Sequence, residues 1–205
     1  MTNPLLGENF NTPFGTAPFQ QIKEAHYLPA MQQAIQEGLA DVDAITANSA
    51  APTFSNVIEA LENSGEKVER IASIFFNLNS AETNDELQKL AREISPLLTN
   101  YGNDIKLNQA LFKKVQAVWQ QRESLGLAAD ESLLLEKTYK SFTRNGANLP
   151  EAEKAALRKI DEQLAQHSLQ FGENLLAATN DYQLFCTEAE VEGLPPQVKE
   201  TAAEE

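Results

Sequence analysis

The longest helical pattern in the chain runs from Pro150 to about Tyr182, and it limits the folds that the other segments can adopt. Apolar side chains recur along it at helical spacing, which places them on one face. These side chains are Leu157, Ile160, Leu164, Phe171, Leu175, Ala178 and Tyr182. At about 1.5 Å per residue such a helix spans roughly 50 Å, the depth of a whole domain of this size. We therefore expect shorter helices to pack along this face.

The rest of the chain carries shorter amphipathic patterns separated by turn residues, which predicts a series of further helices. The predicted helices begin near Tyr27, Phe54, Glu66, Thr83, Asn108 and Asp130. Thr83 and Glu86 have the spacing of a capping box, and Asn108 and Asp130 are typical helix caps. Gly146 is placed to end a helix in the left-handed conformation. We predict an all-α fold, a multi-helix bundle with one long C-terminal helix.

Residues 1–19 combine helix breakers with large apolar side chains. Prolines and a glycine prevent a regular helix here, yet a disordered arm rarely carries this many large apolar groups. These groups are Leu5, Leu6, Phe10, Phe14 and Phe19. We predict an ordered, extended strap in which Phe10, Phe14 and Phe19 are buried against the helices that follow. The alternative is that the strap docks only on a part of the protein outside this chain.

The pattern changes after Asp181. Residues 183–186 form a short apolar run that leaves open the start of a strand, and Cys186 is interpreted as a small apolar filler. Residues 197–205 have a helical pattern without a terminal glycine, and Glu204 and Glu205 lie at the unfavourable end of the helix dipole. We therefore expect this chain to be a fragment of a larger protein.

The net charge of the chain limits the kinds of partner that it can bind. A net charge of −14 over 205 residues argues against nucleic acid and against anionic membranes, because both require basic side chains to neutralise phosphates. The simplest interpretation of the charge is solubility. Met1–Phe10 has no signal-peptide pattern, and no stretch approaches the ~20 apolar residues of a membrane span. We expect a cytoplasmic protein, with export of the parent left open as the alternative.

The side chains that could carry chemistry are few and dispersed. His26 and His167 are the only histidines, and neither has a second histidine at the spacing of a helical zinc site. Acidic pairs such as Asp41 with Asp43 are interpreted as solvated surface. We therefore assign no catalytic, cofactor-binding or metal-binding residue to this chain.

The most distinctive local string runs from Tyr139 to Leu149. Its structural interpretation is a helix end, a left-handed Gly146 and a cap for the next helix. The alternative is a loop that contacts substrate. Within it, Lys140–Leu149 resembles the F-x-x-x-G-A-x-L segment of the thimet oligopeptidase family of zinc metallopeptidases.

Further segments resemble the bacterial peptidyl-dipeptidases of that family, and they occur in the same order along nearly the whole chain. They are Asn3–Leu6, Thr12–Phe19, His26–Ala30, Ala51–Phe54, Ile58–Gly65, Thr83–Gln88 and Trp119–Leu127. This many segments in one order are hard to obtain by chance.

The resemblance implies a zinc peptidase that works in a deep groove between two mostly helical halves and releases C-terminal dipeptides from oligopeptides. The family's H-E-x-x-H helix and later glutamate have no counterpart in this chain, so no site residue is transferred. The resemblance implies that residues 1–182 form the helical N-terminal domain and part of the groove wall. Residues 183–205 would begin the connection to a missing catalytic domain, which is the expected partner. Zinc is expected only in the parent enzyme.

Two other functions remain open at this stage. The parent could be an oligopeptidase A-like endopeptidase of the same family. The chain could also be a free-standing helical module that binds a protein partner through the apolar strap region. The predicted unfinished C-terminus favours the peptidase interpretation.

Overall fold

The computed structural model of the protein describes residues 3–7 and 10–204, and all regular structure within those ranges is helical. The α-helices are α1 (Glu24–Ala47), α2 (Ala60–Ser64), α3 (Glu66–Ala81), α4 (Asp85–Lys106), α5 (Gln109–Gln120), α6 (Ala129–Arg144), α7 (Glu151–Asn180) and α8 (Pro196–Glu204). A π-helical turn, Phe54–Glu59, leads directly into α2. The predicted all-α fold is confirmed.

The described residues form two compact units, and the division falls after Leu169, inside α7. The first unit contains α1 to α6 and the first part of α7. The second unit, from Gln170 onward, contains the end of α7 and α8. The domain boundary expected after residue 182 stays a prediction.

Helix α1 is the element around which the first unit is built. It contacts α2, α3, α4 and α5, and its two halves enter two separate hydrophobic clusters. The first cluster includes Leu5, Tyr27, Met31, Ile71, Phe75 and Ile94. The second cluster includes Val42, Ile45, Val57, Leu111, Val115, Leu135 and Phe142.

The prediction that shorter helices pack along the apolar face of the long helix is wrong. The helix itself is present as α7, but 58% of Ile160 and 62% of Leu164 are exposed in the first unit. In the second unit, Phe171, Leu175 and Tyr182 are also exposed. The amphipathic spacing predicts an apolar face correctly, but it contains no information on which element covers that face.

The helix caps agree with the sequence in part. Asn108 caps α5 as predicted, because its Oδ1 accepts a hydrogen bond from the Leu111 N–H at 3.0 Å. The predicted capping box of α4 is wrong: Asn84, not Thr83, is the cap, and its Oδ1 accepts from the Leu87 N–H at 2.8 Å. A short amide side chain in extended backbone conformation is as good a cap as a threonine, so adjacent candidates cannot be ranked by type alone.

The strap, residues 1–19, is ordered in its described part but buries other side chains than predicted. Leu5 is completely buried in the first cluster, and Phe10 is partly buried. The predicted burial of Phe14 and Phe19 is wrong, because their exposed fractions are 103% and 56%. The short helical turn Pro4–Leu6 fixes Leu5 near α1, whereas Phe14 lies at the tip of a second turn, Pro13–Gly15.

The segment after α7 also differs from expectation. Residues 183–186 are irregular rather than the start of a strand, and Cys186 is exposed, so it is not an apolar filler. Strand formation needs a neighbouring strand to pair with, and the described residues contain none.

Candidate interaction surfaces

Polar contacts help to attach the first turns of α7 to the other helices of the first unit. The buried Lys154 side chain donates from Nζ to the Leu107 carbonyl oxygen at 3.1 Å and to Glu151 Oε1 at 3.0 Å. Arg158 donates from Nη1 to Asp104 Oδ1 at 2.8 Å. These contacts hold the beginning of α7 at the junction between α4 and α5, and they leave its later apolar side chains free to face outward.

The exposed apolar side chains of α7 in the first unit form what we call the α7 surface, Ile160 and Leu164. The second unit has its own set, which we call the tail surface. It consists of Phe171, Leu175, Leu176, Tyr182, Leu184, Phe185, Leu194 and Val198. Contiguous patches of exposed apolar side chains are typical of protein–protein contact sites. Each surface is therefore a candidate site for binding another protein segment.

The turn Pro13–Gly15 exposes another apolar group. Phe14 has a backbone φ of 60°, which is uncommon for a residue with a side chain. The side chain lies entirely in solvent. Sequence reasoning identified Phe14 as a notable residue but placed it in the core.

Two of the clefts in the described part of the first unit are lined in part by α4. One, of 560 Å³, lies between the N-terminal ends of α1 and α4 and includes Phe19, Glu24, Tyr27, Glu82 and Asn84 in its lining. Across it, Asn84 Nδ2 donates to Glu24 Oε1 at 3.0 Å. The second, of 360 Å³, is lined mainly by apolar side chains of α2, α3 and α4.

Two tyrosines that line the clefts have raised pKa values. Burial raises the pKa of Tyr27, with Glu24 adding to the effect, and burial also raises the pKa of Tyr101. The hydroxyls of both tyrosines are buried without a hydrogen-bond partner, so they cannot exchange protons readily with a bound molecule. The paired carboxylates Asp41 and Asp43 are exposed, which confirms their interpretation as surface groups.

The two histidines lie in different settings. His26 belongs to the first turn of α1, and its Nδ1 accepts a hydrogen bond from the Lys23 N–H at 3.0 Å. His167 is exposed on α7. Within residues 3–7 and 10–204, no group of three or more His, Cys, Asp and Glu side chains could hold a metal ion. The donors present therefore do not fit a zinc site.

The string from Tyr139 to Leu149 contains the helix end and the left-handed glycine that its pattern predicts, and the cap for the next helix stays a prediction. Helix α6 ends at Arg144, and Gly146 follows with a φ of 91°. A Cβ at position 146 would lie 2.7 Å from Leu157 Cδ2, so glycine is required for close packing as well as for its backbone conformation. Tyr139 stacks on Trp119 with 4.8 Å between ring centroids. The string thus joins α5, α6 and α7, and substrate contact by it remains untested.

No helix in the described part of the chain has both the length and the apolar character needed to cross a membrane. No family model matches the chain.

Curated relatives do match it over nearly its full length. The chain is 40% identical over 204 residues to dipeptidyl carboxypeptidase of Salmonella typhimurium, which covers 99% of this chain and 30% of the relative. It is also 40% identical over 203 residues to dipeptidyl carboxypeptidase of Escherichia coli, covering 98% of this chain and 30% of the relative. Oligopeptidase A of Escherichia coli is 28% identical over 196 residues, covering 95% of this chain and 28% of the relative.

The matched relatives are peptidases, as the sequence segments predict, and the fold of this chain is all-α. Within that group it matches the N-terminal region of the bacterial dipeptidyl carboxypeptidases, more strongly than that of oligopeptidase A. The chain spans about 30% of the length of the dipeptidyl carboxypeptidases it matches.

Proposed function

We propose that this chain is the non-catalytic N-terminal helical region of a zinc metallopeptidase that releases C-terminal dipeptides from oligopeptides. In this proposal it forms part of the wall of the substrate groove and helps to exclude folded proteins. The observation that carries the proposal is the 40% identity to dipeptidyl carboxypeptidases over 99% of the chain. The function of the whole enzyme is inferred from that relationship.

The α7 surface and the tail surface support a structural role. Ile160 and Leu164 are exposed although they lie on the apolar face of a long helix. Burying two such side chains contributes about 1.5–3 kcal/mol each, so a stable protein gains from covering them. The partner that we propose for these surfaces is the catalytic part of the same protein, since the matched relatives are about three times as long as this chain.

The proposed zinc belongs to the catalytic part. Zinc is bound in such enzymes by nitrogen and oxygen side chains held together in one place. The described residues of this chain offer no such cluster. Zinc would supply an activated water for attack on the peptide carbonyl, and we assign no step of that reaction to a side chain of this chain.

Two alternatives rest on specific observations. An oligopeptidase A-like endopeptidase is supported by the 28% identity to oligopeptidase A, which is weaker than the identity to the dipeptidyl carboxypeptidases. A free-standing interaction module is supported by the exposed apolar surfaces alone. In all three cases we propose a cytoplasmic protein without nucleic-acid or membrane partners, consistent with its net charge of −14.

The decisive experiment uses the complete chain, meaning residues 1–205 together with whatever the same reading frame encodes after them. An N-terminally blocked oligopeptide with a free C-terminus is compared with the same peptide carrying a C-terminal amide. We expect dipeptide release from the free peptide, abolished by a chelator, and little cleavage of the amide. Equal internal cleavage of both peptides would favour the endopeptidase. A reading frame that stops after codon 205 would contradict the proposal and favour the free-standing module.

A further inference from the structure

The turn Pro13–Gly15 presents one aromatic ring to solvent in a fixed position. Phe14 is fully exposed and has a backbone φ of 60°, and the following Gly15 has a φ of 65°. A phenylalanine in this conformation is uncommon and persists only where its surroundings impose it. The turn therefore holds the ring outward even though the ring makes no packing contact that would stabilise it.

Hydrogen bonds that do not involve the ring close this turn. The Gly15 N–H donates to the Thr12 carbonyl oxygen at 3.1 Å, and Thr16 Oγ1 donates to the Pro13 carbonyl oxygen at 3.1 Å. Thr12 Oγ1 also donates to the Thr16 carbonyl oxygen. The two threonines thus bracket Phe14 and fix the backbone, while the side chain of residue 14 is not needed for the turn.

The strap is attached to the helices on the N-terminal side of this turn. Asn3 Nδ2 donates to the His26 carbonyl oxygen at 2.8 Å, and Leu5 is buried in the first cluster. The Arg70 guanidinium donates to the Gly7 carbonyl oxygen at 2.6 Å and lies 5.2 Å from the centroid of the Phe10 ring.

On the other side of the turn, Ile22 packs against the same cluster. The position of Phe14 is therefore set on both sides by contacts to the first unit. A large aromatic side chain that is held in place before binding loses little conformational freedom when a partner covers it.

We propose that Phe14 is an anchor that inserts into an apolar pocket on the catalytic part of the same protein, which is absent from this chain. The inference rests on the proposed function. The occupant is chosen because the matched relatives extend well beyond the 30% of their length that this chain spans. Buried aromatic anchors carry much of the binding energy of protein interfaces. The strap would thereby join the two parts through a contact that does not involve Ile160 and Leu164 of the α7 surface.

Chymotrypsin provides the test, because it cleaves after exposed aromatic residues and Phe14 is fully exposed in the 205-residue chain. The rate of cleavage after Phe14 is measured by mass spectrometry in the 205-residue chain and in the complete chain. We expect cleavage to be roughly tenfold slower or more in the complete chain, because only a minor open population would expose the bond. Trypsin cleavage after Arg122, in the exposed turn before α6, serves as the control for general accessibility.

A substitution at Phe14 distinguishes a role of this side chain in anchoring from a role in folding. Asparagine tolerates the left-handed conformation, so Phe14→Asn keeps the turn and removes the ring. It should leave the urea midpoint of the 205-residue chain unchanged or raised, and lower the urea concentration at which the complete chain loses half of its dipeptide release. Leu133→Asn, which removes a half-exposed apolar side chain from α6, is the matched control and should leave that concentration unchanged.

The results of these experiments distinguish failure of the Phe14 anchor from failure of the proposed function. Equal chymotrypsin cleavage in both chains, or a complete chain that is indifferent to Phe14→Asn, would overturn the anchor while leaving dipeptide release intact. Protection of Phe14 that increases with the concentration of the 205-residue chain would show that a second copy covers it, and would also overturn the proposal. Failure of the complete chain to release dipeptides would instead count against the proposed function.

Discussion

Lys154 Nζ lies 3.1 Å from the carbonyl oxygen of Leu107 and donates a hydrogen bond to it, and only 3% of Lys154 is exposed. The two residues are 47 positions apart, and their contact fixes the first turns of α7 at the end of α4. Helix α7, the longest α-helix among the described residues, is thus attached near its N-terminal end by a buried charge-assisted hydrogen bond. Its apolar face remains available for another partner.

Removing this contact should destabilise the 205-residue chain. Lys154→Met keeps the apolar part of the side chain but leaves the Leu107 carbonyl without its donor, which costs about 1–3 kcal/mol. Lys159→Met, on the exposed side of the same helix, is the matched control and should change stability little. Urea denaturation followed by Trp119 fluorescence measures both. Equal midpoints for the two variants would show that the buried contact does not stabilise the attachment of α7.

Gly38, inside α1, should not tolerate a side chain. A Cβ there would lie 2.6 Å from the Tyr101 hydroxyl and 2.9 Å from the Ser64 carbonyl oxygen. Gly38→Ala should therefore lower stability by roughly 1–3 kcal/mol, as expected for overpacking. Gly102→Ala, in α4 with nothing within 4 Å of the added Cβ, should instead raise stability by about 0.8–1 kcal/mol.

The clash between a Cβ at position 38 and the Tyr101 hydroxyl predicts that Tyr101→Phe restores stability to the Gly38→Ala variant. The Tyr101 hydroxyl is buried and has no hydrogen-bond partner, so its removal alone should be neutral or stabilising. In combination with Gly38→Ala it removes the shorter of the two clashes and should restore part of the lost stability. A double-mutant cycle on the urea midpoints measures the coupling. Strict additivity of the two changes would contradict the packing that we describe.

The strap should contribute to stability through Leu5 and not through its exposed phenylalanines. Leu5→Ala should cost about 2–5 kcal/mol, the usual range for truncating a buried leucine. The double change Phe14→Ala with Phe19→Ala should leave the urea midpoint of the 205-residue chain nearly unchanged. A loss of several kcal/mol in the double variant would restore the prediction made from the sequence.

The ion pair between Glu37 and Lys67 should make a small contribution to stability that depends on pH. Hydrogen bonds from Lys67 and then Gln33 lower the pKa of Glu37 below its ordinary value of 4.5. A lowered pKa in the folded state means that the stabilisation is present above pH 4.5 and is lost as the pH falls through the lowered pKa. Because the pair is partly exposed, its size should be roughly 0.2–1 kcal/mol.

The measurement compares the wild type with Glu37→Gln across a pH series. The difference between their urea midpoints should be constant near neutral pH and should shrink once the pH is below the ordinary pKa of a glutamate. Glu93→Gln, an exposed change on α4, provides the reference for a carboxylate outside this pair. A difference that grows on acidification would contradict the assignment.

The sequence predicts local features better than long-range ones in this chain. Asn108 and Gly146 are predicted correctly because capping and left-handed glycine depend on a few neighbouring residues, although the choice of Thr83 over the adjacent Asn84 as a cap is wrong. The buried role of Lys154 was missed, because lysine is rarely buried and its partner Leu107 is distant in sequence.

The exposed surfaces could not be predicted for a related reason. The apolar spacing that includes Ile160 and Leu164 is the same whether another helix or another part of the protein covers the face. Hydrophobicity likewise suggested burial for Phe14, whereas its exposure follows from the turn that Pro13, Gly15 and two threonines impose. The family resemblance was recoverable from the sequence because it depends on ordered segments and not on contacts.

The central claim is tested most directly by measuring C-terminal dipeptide release from one blocked oligopeptide by two preparations side by side. One is the complete chain and the other is the 205-residue chain, each assayed with and without added zinc. We predict chelator-sensitive release by the complete chain and none above background by the 205-residue chain under any zinc concentration. Zinc-dependent release by the 205-residue chain alone, or no release by the complete chain, would contradict the account.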